Sequence, residues 1–190
     1  MAEHERARGQ ADPGRRDRII DVTLDVIAAN GVAGTSHRKV AAAAGVPLGS
    51  MTYHFSGMDE LLREAFGRFA DRGVERFSTR MAQAQTPADA LEIVAGTIVD
   101  DTPASGSDEQ VVTYELYTLA ARDASFRDIT ERWMDRTRGV LEKHFDPLTA
   151  RLLDALLEGL AVHRTLDRDP VTTAQMIEGI RRITKEATTW

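Results

Sequence analysis

The chain contains no cysteine, so it holds neither a disulfide framework nor a thiolate metal site, and it agrees with a reducing compartment. Long apolar runs are missing too. The N-terminus, MAEHERARGQADPGRRDR, is polar where a signal peptide would be apolar, and no later stretch approaches the ~18 uninterrupted apolar residues of a membrane span. These absences point to the cytoplasm and to no membrane partner. Beta-branched alternation never persists, which argues against strands. There is no glycine-rich nucleotide loop, no His-Glu-x-x-His, no nucleophile with an evident base, and only five histidines. The acidic pair Asp100-Asp101 reads as solvation at a helix end. The expectation is therefore no enzyme, no cofactor and no metal.

What is present is helical spacing and an uneven distribution of charge. The 190 residues, 42% hydrophobic, suffice for one domain or for a small module fused to a larger one. A net charge of -6 looks wrong for a nucleic-acid binder until it is located: residues 1–58 carry seven Lys/Arg against six Asp/Glu, and the acidic excess lies beyond them. Phosphate contact is local, and screening removes a distant body's repulsion beyond ~8–10 Å. A soluble acidic surface is the plainer reading of the same excess.

Apolar residues three and four apart (Ile19, Ile20, Val22, Val26, Ile27) predict a first helix over 15–29, stopped at Asn30-Gly31. A second is expected over 37–44 with Thr35 or Ser36 as N-cap, and a third over 47–54 with Pro47 in its first turn. A fourth runs from Met58 into the low eighties, weakened but not broken by Gly67 and Gly73, and Thr86-Pro87 opens a fifth ending near Asp101. Thr102–Asp108 is the clearest loop. Further helices are expected over 109–122, 125–145, 147–166 and 170–187.

The segment SHRKVAAAAGVPLGSMTYHF, Ser36 to Phe55, carries the chemistry. Ala41, Ala44 and Gly45 leave little bulk where two short helices cross, and Gly45 supplies a tight turn. In helix-turn-helix geometry the second helix enters the major groove and the first crosses the phosphates. The groove-facing candidates are Leu48, Gly49, Ser50, Thr52, Tyr53 and His54, whose methyl and hydroxyl groups suit base edges. Ser36, His37, Arg38 and Lys39, at a helix N-terminus, suit a phosphate. An alanine-rich hairpin in an ordinary bundle remains the alternative.

The run RIIDVTLDVIAANGVAGTSHRKVAAAAGVPLGSMTYHFSGMDELL resembles the N-terminal pattern of the tetracycline-repressor (TetR) family, from the Ala-Gly-Val turn through Tyr-His-Phe to Asp-Glu-Leu-Leu. More loosely, YELYTLAARDASFRD and LLDALLEGLAVHRTLDRDPVT resemble its mid-domain and penultimate helices. The resemblance implies an all-α chain of about nine helices: a flexible N-terminal arm over 1–14, a three-helix helix-turn-helix head over 15–57, and a larger helical ligand-binding and dimerisation domain over 58–190. It implies a repressor that binds a palindromic double-stranded DNA operator as a homodimer and is released by a small-molecule effector.

Two positions depart from the family pattern. Thr52 stands where a tyrosine is usual and Met58 where a lysine is usual, both commonly used on phosphates. Tyr53, His54, Arg38 and Lys39 would then carry more of the backbone affinity, helped by Arg15, Arg16 and Arg18 in the arm. A head that has lost DNA binding and serves protein interaction is one rival reading, and a small-molecule-binding or enzymatic bundle is the other.

For the effector, the resemblance offers Phe66, Phe69, Tyr114, Glu115, Tyr117, Thr118, Arg122 and Trp133, with Met81, Val111 and Phe126. Glu115, Thr118 and Arg122 share a helical face and could form a polar wall, or be solvated. For the dimer interface, Leu152, Leu153, Leu156, Leu157 and Leu160 give one helix more apolar surface than a single neighbour needs, and Met176, Ile177, Ile180 and Ile183 repeat this on the last helix. An intramolecular hairpin is the alternative there.

Overall fold

The computed structural model describes residues 14–101 and 107–184. Apart from Gly14, the expected arm 1–14 lies outside the described residues, as do 102–106 of the expected loop and the end of the last expected helix. Among the described residues there are nine α-helices and no strand. They divide into two compact units, Met1–Ala65 and Phe66–Trp190.

The first unit contains α1 (Arg15–Asn30), α2 (His37–Ala43), α3 (Gly49–His54) and the start of α4 (Met58–Met81). Its core gathers Ile19, Ile20 and Val26 from α1, Val40 and Ala41 from α2, Met51 from α3, and Phe55, Leu61 and Ala65. Gly31 closes α1 with φ 67° and donates to the Ile27 carbonyl at 2.8 Å, a backbone that L side chains resist. At α2 the Ser36 hydroxyl accepts the Lys39 N–H at 3.3 Å, satisfying one of the helix's free donors.

Gly45 is needed for its conformation, φ 65°, and not for space, since a Cβ there would meet nothing within 4 Å. The buried small residues at the crossing are Ala41 and Ala44. Helix α3 begins two residues later than the sequence suggests. Ser50 N–H donates to Pro47 and Met51 N–H to Leu48, so Pro47-Leu48 forms a tight turn of i to i+3 bonds ahead of the helix.

The second unit comprises the rest of α4 with α5 (Pro87–Asp101), α6 (Asp108–Arg122), α7 (Ala124–Leu141), α8 (Pro147–Leu166) and α9 (Thr173–Thr184). Helix α4 continues through Gly67 and Gly73. Thr86 and Asp89 cap α5 reciprocally, each accepting the other's backbone N–H. Asp146 caps α8 through the N–H groups of Leu148 and Thr149, with Pro147 in the first turn. Helix α7 stops at Leu141, four residues short of expectation, where i to i+3 bonds from Lys143 and His144 tighten the chain before Asp146-Pro147. Helix α9 starts at Thr173, after a cap in which Thr172 and Gln175 exchange hydrogen bonds. Phe77, Met81, Val94, Leu141, Leu153 and Ile180 form the core at one end of this unit.

Candidate nucleic-acid interface and body cavity

Helix α3 is only six residues long, so its outward face is narrow. Leu48 in the turn before it, then Gly49, Thr52 and Tyr53 are exposed, Tyr53 to 83%, whereas Ser50 and Met51 point into the core. Ser50 is thus turned away from the position of a groove reader that the sequence suggested. His54 is half-buried, its ring 4.9 Å from that of Tyr53 in an edge contact. The Thr52 hydroxyl donates to the Gly49 carbonyl at 3.2 Å, and Met58 packs partly buried against the head core.

At the α2 end, Arg38 and Lys39 are exposed while Ser36 and His37 are half-buried. The Lys39 ammonium donates to Asn30 Oδ1 at 2.7 Å and to the Gly34 carbonyl at 2.8 Å, so any phosphate competes with an internal site. Arg15, Arg16 and Arg18 belong to α1, not to a flexible arm. Arg16 pairs with Glu64, whose hydrogen bond raises its pKa, and lies 5.0 Å over the Phe55 ring, contacts that tie it to the head itself. Glu60 accepts the Ser56 hydroxyl and N–H, which hold its carboxyl below the usual range.

In the second unit, α4, α5, α6, α7 and α8 line a partly open cavity of about 170 Å³. Its aromatic wall is Phe69, Tyr114 and Trp133, with the Phe69 and Trp133 rings 5.6 Å apart at right angles. Gly73 faces Trp133 Cζ2, 3.6 Å from where its own Cβ would stand. Polar groups converge from α6 and α8: Glu109, Gln110, Thr113, Asp154 and Glu158 all line the space.

Three carboxyls there have different partners. Glu109 meets Arg76 at 2.8 Å near the surface. Asp154 accepts from Arg138 Nε at 2.9 Å, yet burial still pushes its carboxyl up. Glu158 is raised by burial against the pull of a hydrogen bond from Tyr117, with Asp154 adding to the rise. Burial likewise raises the Tyr117 hydroxyl, beside Glu158. Gln110 is 7% exposed, and among the described residues neither its amide nitrogen nor its amide oxygen has a partner; the Tyr114 hydroxyl has none there either. Such groups are rare in folded proteins and costly.

Of the effector residues expected from sequence, Phe69, Tyr114 and Trp133 line the cavity, and Tyr117 stands behind it against Trp133 and Glu158. Phe66 is fully buried in edge contact with Phe126, and Met81 is buried in the core. Glu115, Thr118 and Arg122 do not line it, and Thr118 and Arg122 are exposed. Their shared face turns outward because α6 buries Val112, Leu116 and Ala120 instead. Sequence reasoning missed Gln110, Asp154 and Glu158. The last two were legible as carboxylates four apart inside the leucine-rich run LLDALLEGL.

The leucines of α8 divide between the unit's core and its outward face. Leu153 and Ile180 are fully buried in the unit's own core, and Leu156, Leu157 and Ile177 pack partly buried against it. Leu157 also lines the cavity, and Leu160 is half-buried. The outward apolar residues of α8 are Leu148, Leu152 and Leu166, and Ala155, Gly159 and His163 are exposed at the helical spacing between them. Among the described residues no cluster of His, Asp and Glu could hold a metal, and no helix is long and apolar enough to cross a membrane.

The arrangement matches known proteins. Residues 19–65 fit the model of bacterial regulatory proteins of the tetR family, and residues 85–186 fit that of the tetracyclin repressor-like C-terminal domain. The crystal structure of SCO7518 from Streptomyces coelicolor A3(2), described as a transcriptional regulator, is 53% identical with a TM-score of 0.85, covering 90% of this chain and 99% of that one. The multidrug binding protein EbrR, seen in complex with ethidium, is 34% identical with a TM-score of 0.75, covering 91% of this chain and 99% of its own. The HTH-type transcriptional regulator CymR of Pseudomonas putida is 27% identical over 143 residues, 75% of this chain and 68% of that protein.

Proposed function

The chain belongs to the tetracycline-repressor (TetR) family of DNA-binding transcriptional regulators, and from that premise we propose that it is a cytoplasmic repressor, binding a palindromic operator as a homodimer and released by a small molecule held in the body cavity. It is a regulator and not an enzyme. The observation that carries the DNA reading is the outward set Leu48, Gly49, Thr52 and Tyr53 together with the exposed side chains of Arg38 and Lys39 in the same unit. Leu48 and Thr52 suit thymine methyls, Tyr53 suits a base edge or a phosphate, and the two cations suit phosphates. Two such heads on a two-fold dimer would meet half-sites about one DNA turn apart.

The second copy covers the outward apolar face of α8, from Leu148 through Leu152 to Gly159, whose side chains the core of one subunit leaves exposed. Effector release works through α4, which contributes Leu61 to the head core and Phe69, Gly73 and Phe77 to the cavity wall. A 5–150-fold change in operator affinity takes only ~1–3 kcal/mol of differential binding. The small-molecule reading is supported by the cavity's unmet polar groups and by EbrR's complex with ethidium.

Selection of bound sequences from random DNA, followed by gel-shift titration, tests the reading. A two-fold symmetric sequence should be enriched and bound by the dimer. Failure to enrich any sequence would overturn the DNA-reading role and favour a head that binds protein.

A further inference from the structure

We propose that the body cavity takes a single-ring aromatic cation with N–H donors, with Glu158 as its counter-charge and Gln110 as its second polar contact. This rests on the effector reading above and names the class of effector.

Charge is decided by which carboxyls are already neutralised. Asp154 is held by Arg138 and Glu109 by Arg76. Glu158 has a hydrogen bond from Tyr117, and no Lys or Arg pairs with it among the described residues. A cation entering the space therefore gains a half-buried opposite charge, whereas an anion would be pressed against Glu158 and Asp154. Trp133, Phe69 and Tyr114 line the same space and favour a cation wherever it meets a ring face, because an aromatic quadrupole attracts cations there.

Hydrogen bonding narrows the class. Gln110, buried, presents an amide donor and an amide acceptor that nothing among the described residues satisfies, and the Tyr114 hydroxyl adds a third unmet group. All three atoms belong to residues that line the cavity. A ligand N–H that reaches the Gln110 oxygen removes that cost; a quaternary ammonium cannot. Size sets the last preference. At about 170 Å³ the space is close to the ~150 Å³ cavity that admits benzene, so one ring matches its volume.

Three isosteric probes, benzamidine, benzamide and benzoate, differ in charge while keeping one ring, and calorimetry on the full chain without DNA reads each. Benzamidine should bind at least ~10-fold tighter than benzamide, and benzoate should not bind. Glu158→Gln should bring benzamidine down to the affinity of benzamide while leaving benzamide unchanged, which also reports an intact cavity. Gln110→Leu should weaken both. Equal binding of benzamide or benzoate, or no binding by any probe, would overturn the proposal. The effector reading fails separately: benzamidine would bind the chain yet leave the operator complex intact. Conversely, release of the operator by a ligand outside this class, with all three probes silent, would sink the class and keep the effector.

Discussion

Arg138 Nε lies 2.9 Å from Asp154 Oδ2, and it joins α7 to α8 beside the cavity. The carboxyl side chain is 7% exposed and the guanidinium 22%, so neither partner is replaced cheaply by water.

Removing one partner strands the other. Breaking a buried pair costs ~3–5 kcal/mol, and the partial exposure of Arg138 puts Arg138→Leu at the lower end, about 3 kcal/mol. Asp154→Leu in the same chain should restore most of that loss, because two apolar groups replace two desolvated charges. Urea unfolding of both singles and the double gives the coupling. Additive losses would show that the pair is not the source.

Arg38 and Lys39 should separate in the head. Both alanine variants should weaken operator binding and shallow its salt dependence by about one phosphate each. Only Lys39→Ala should also lower thermal stability, by ~0.5–1.5 kcal/mol, since it alone loses bonds to Asn30 and Gly34. Tyr53→Ala, at an 83% exposed site, should change stability by less than ~0.5 kcal/mol while weakening the complex. Gel shifts and melting curves on the three variants check both halves.

Adjacent leucines of α8 should give opposite phenotypes. Leu152 is 48% exposed and Leu153 fully buried. Leu152→Arg should yield folded monomers in sedimentation, with the helical circular dichroism retained. Leu153→Arg places a charge in the core and should unfold the body. A dimeric Leu152→Arg variant would move the interface off this face.

Stability of the ligand-free protein should fall as pH rises from about 4.5, the ordinary value of Glu158. The folded-state pKa is raised, so the folded chain keeps its proton where the unfolded chain has lost it, and the unfolded state binds fewer protons. The fall ends once pH passes the raised value. Tyr117 on α6 and Asp154 on α8 act on Glu158, Tyr114 lines the same cavity, and Arg138 is bound to Asp154. Asp154 contributes in the same direction, so Glu158→Gln should flatten part of the slope. An unchanged slope in melting curves between pH 4 and 8 would rule Glu158 out.

The fold was legible where short-range chemistry writes it. Asn30-Gly31, Ser36, Thr86-Pro87 and Asp146-Pro147 mark helix ends in the sequence, and each does so in the structure. The rotation of α3 was not legible: six residues make less than two turns, and Ser50, small and polar, reads as surface although it packs inward. Arg16 reads as a phosphate ligand because its partner Glu64 stands 48 residues away. Gln110 was invisible for a similar reason. Its isolation depends on which faces of α4, α6 and α8 converge, and local pattern holds no trace of that.

The inward turn of Ser50 and Met51 has a consequence best counted as information. If α3 reads the operator, its hydrogen-bonding vocabulary is two exposed hydroxyls and the half-buried His54 ring, and the Thr52 hydroxyl is already donated to Gly49. Each base pair recognised in this way multiplies discrimination by a factor matching ~1–3 kcal/mol. So terse a reader leaves a half-site with few letters, and the word becomes unambiguous only when it is spelled twice.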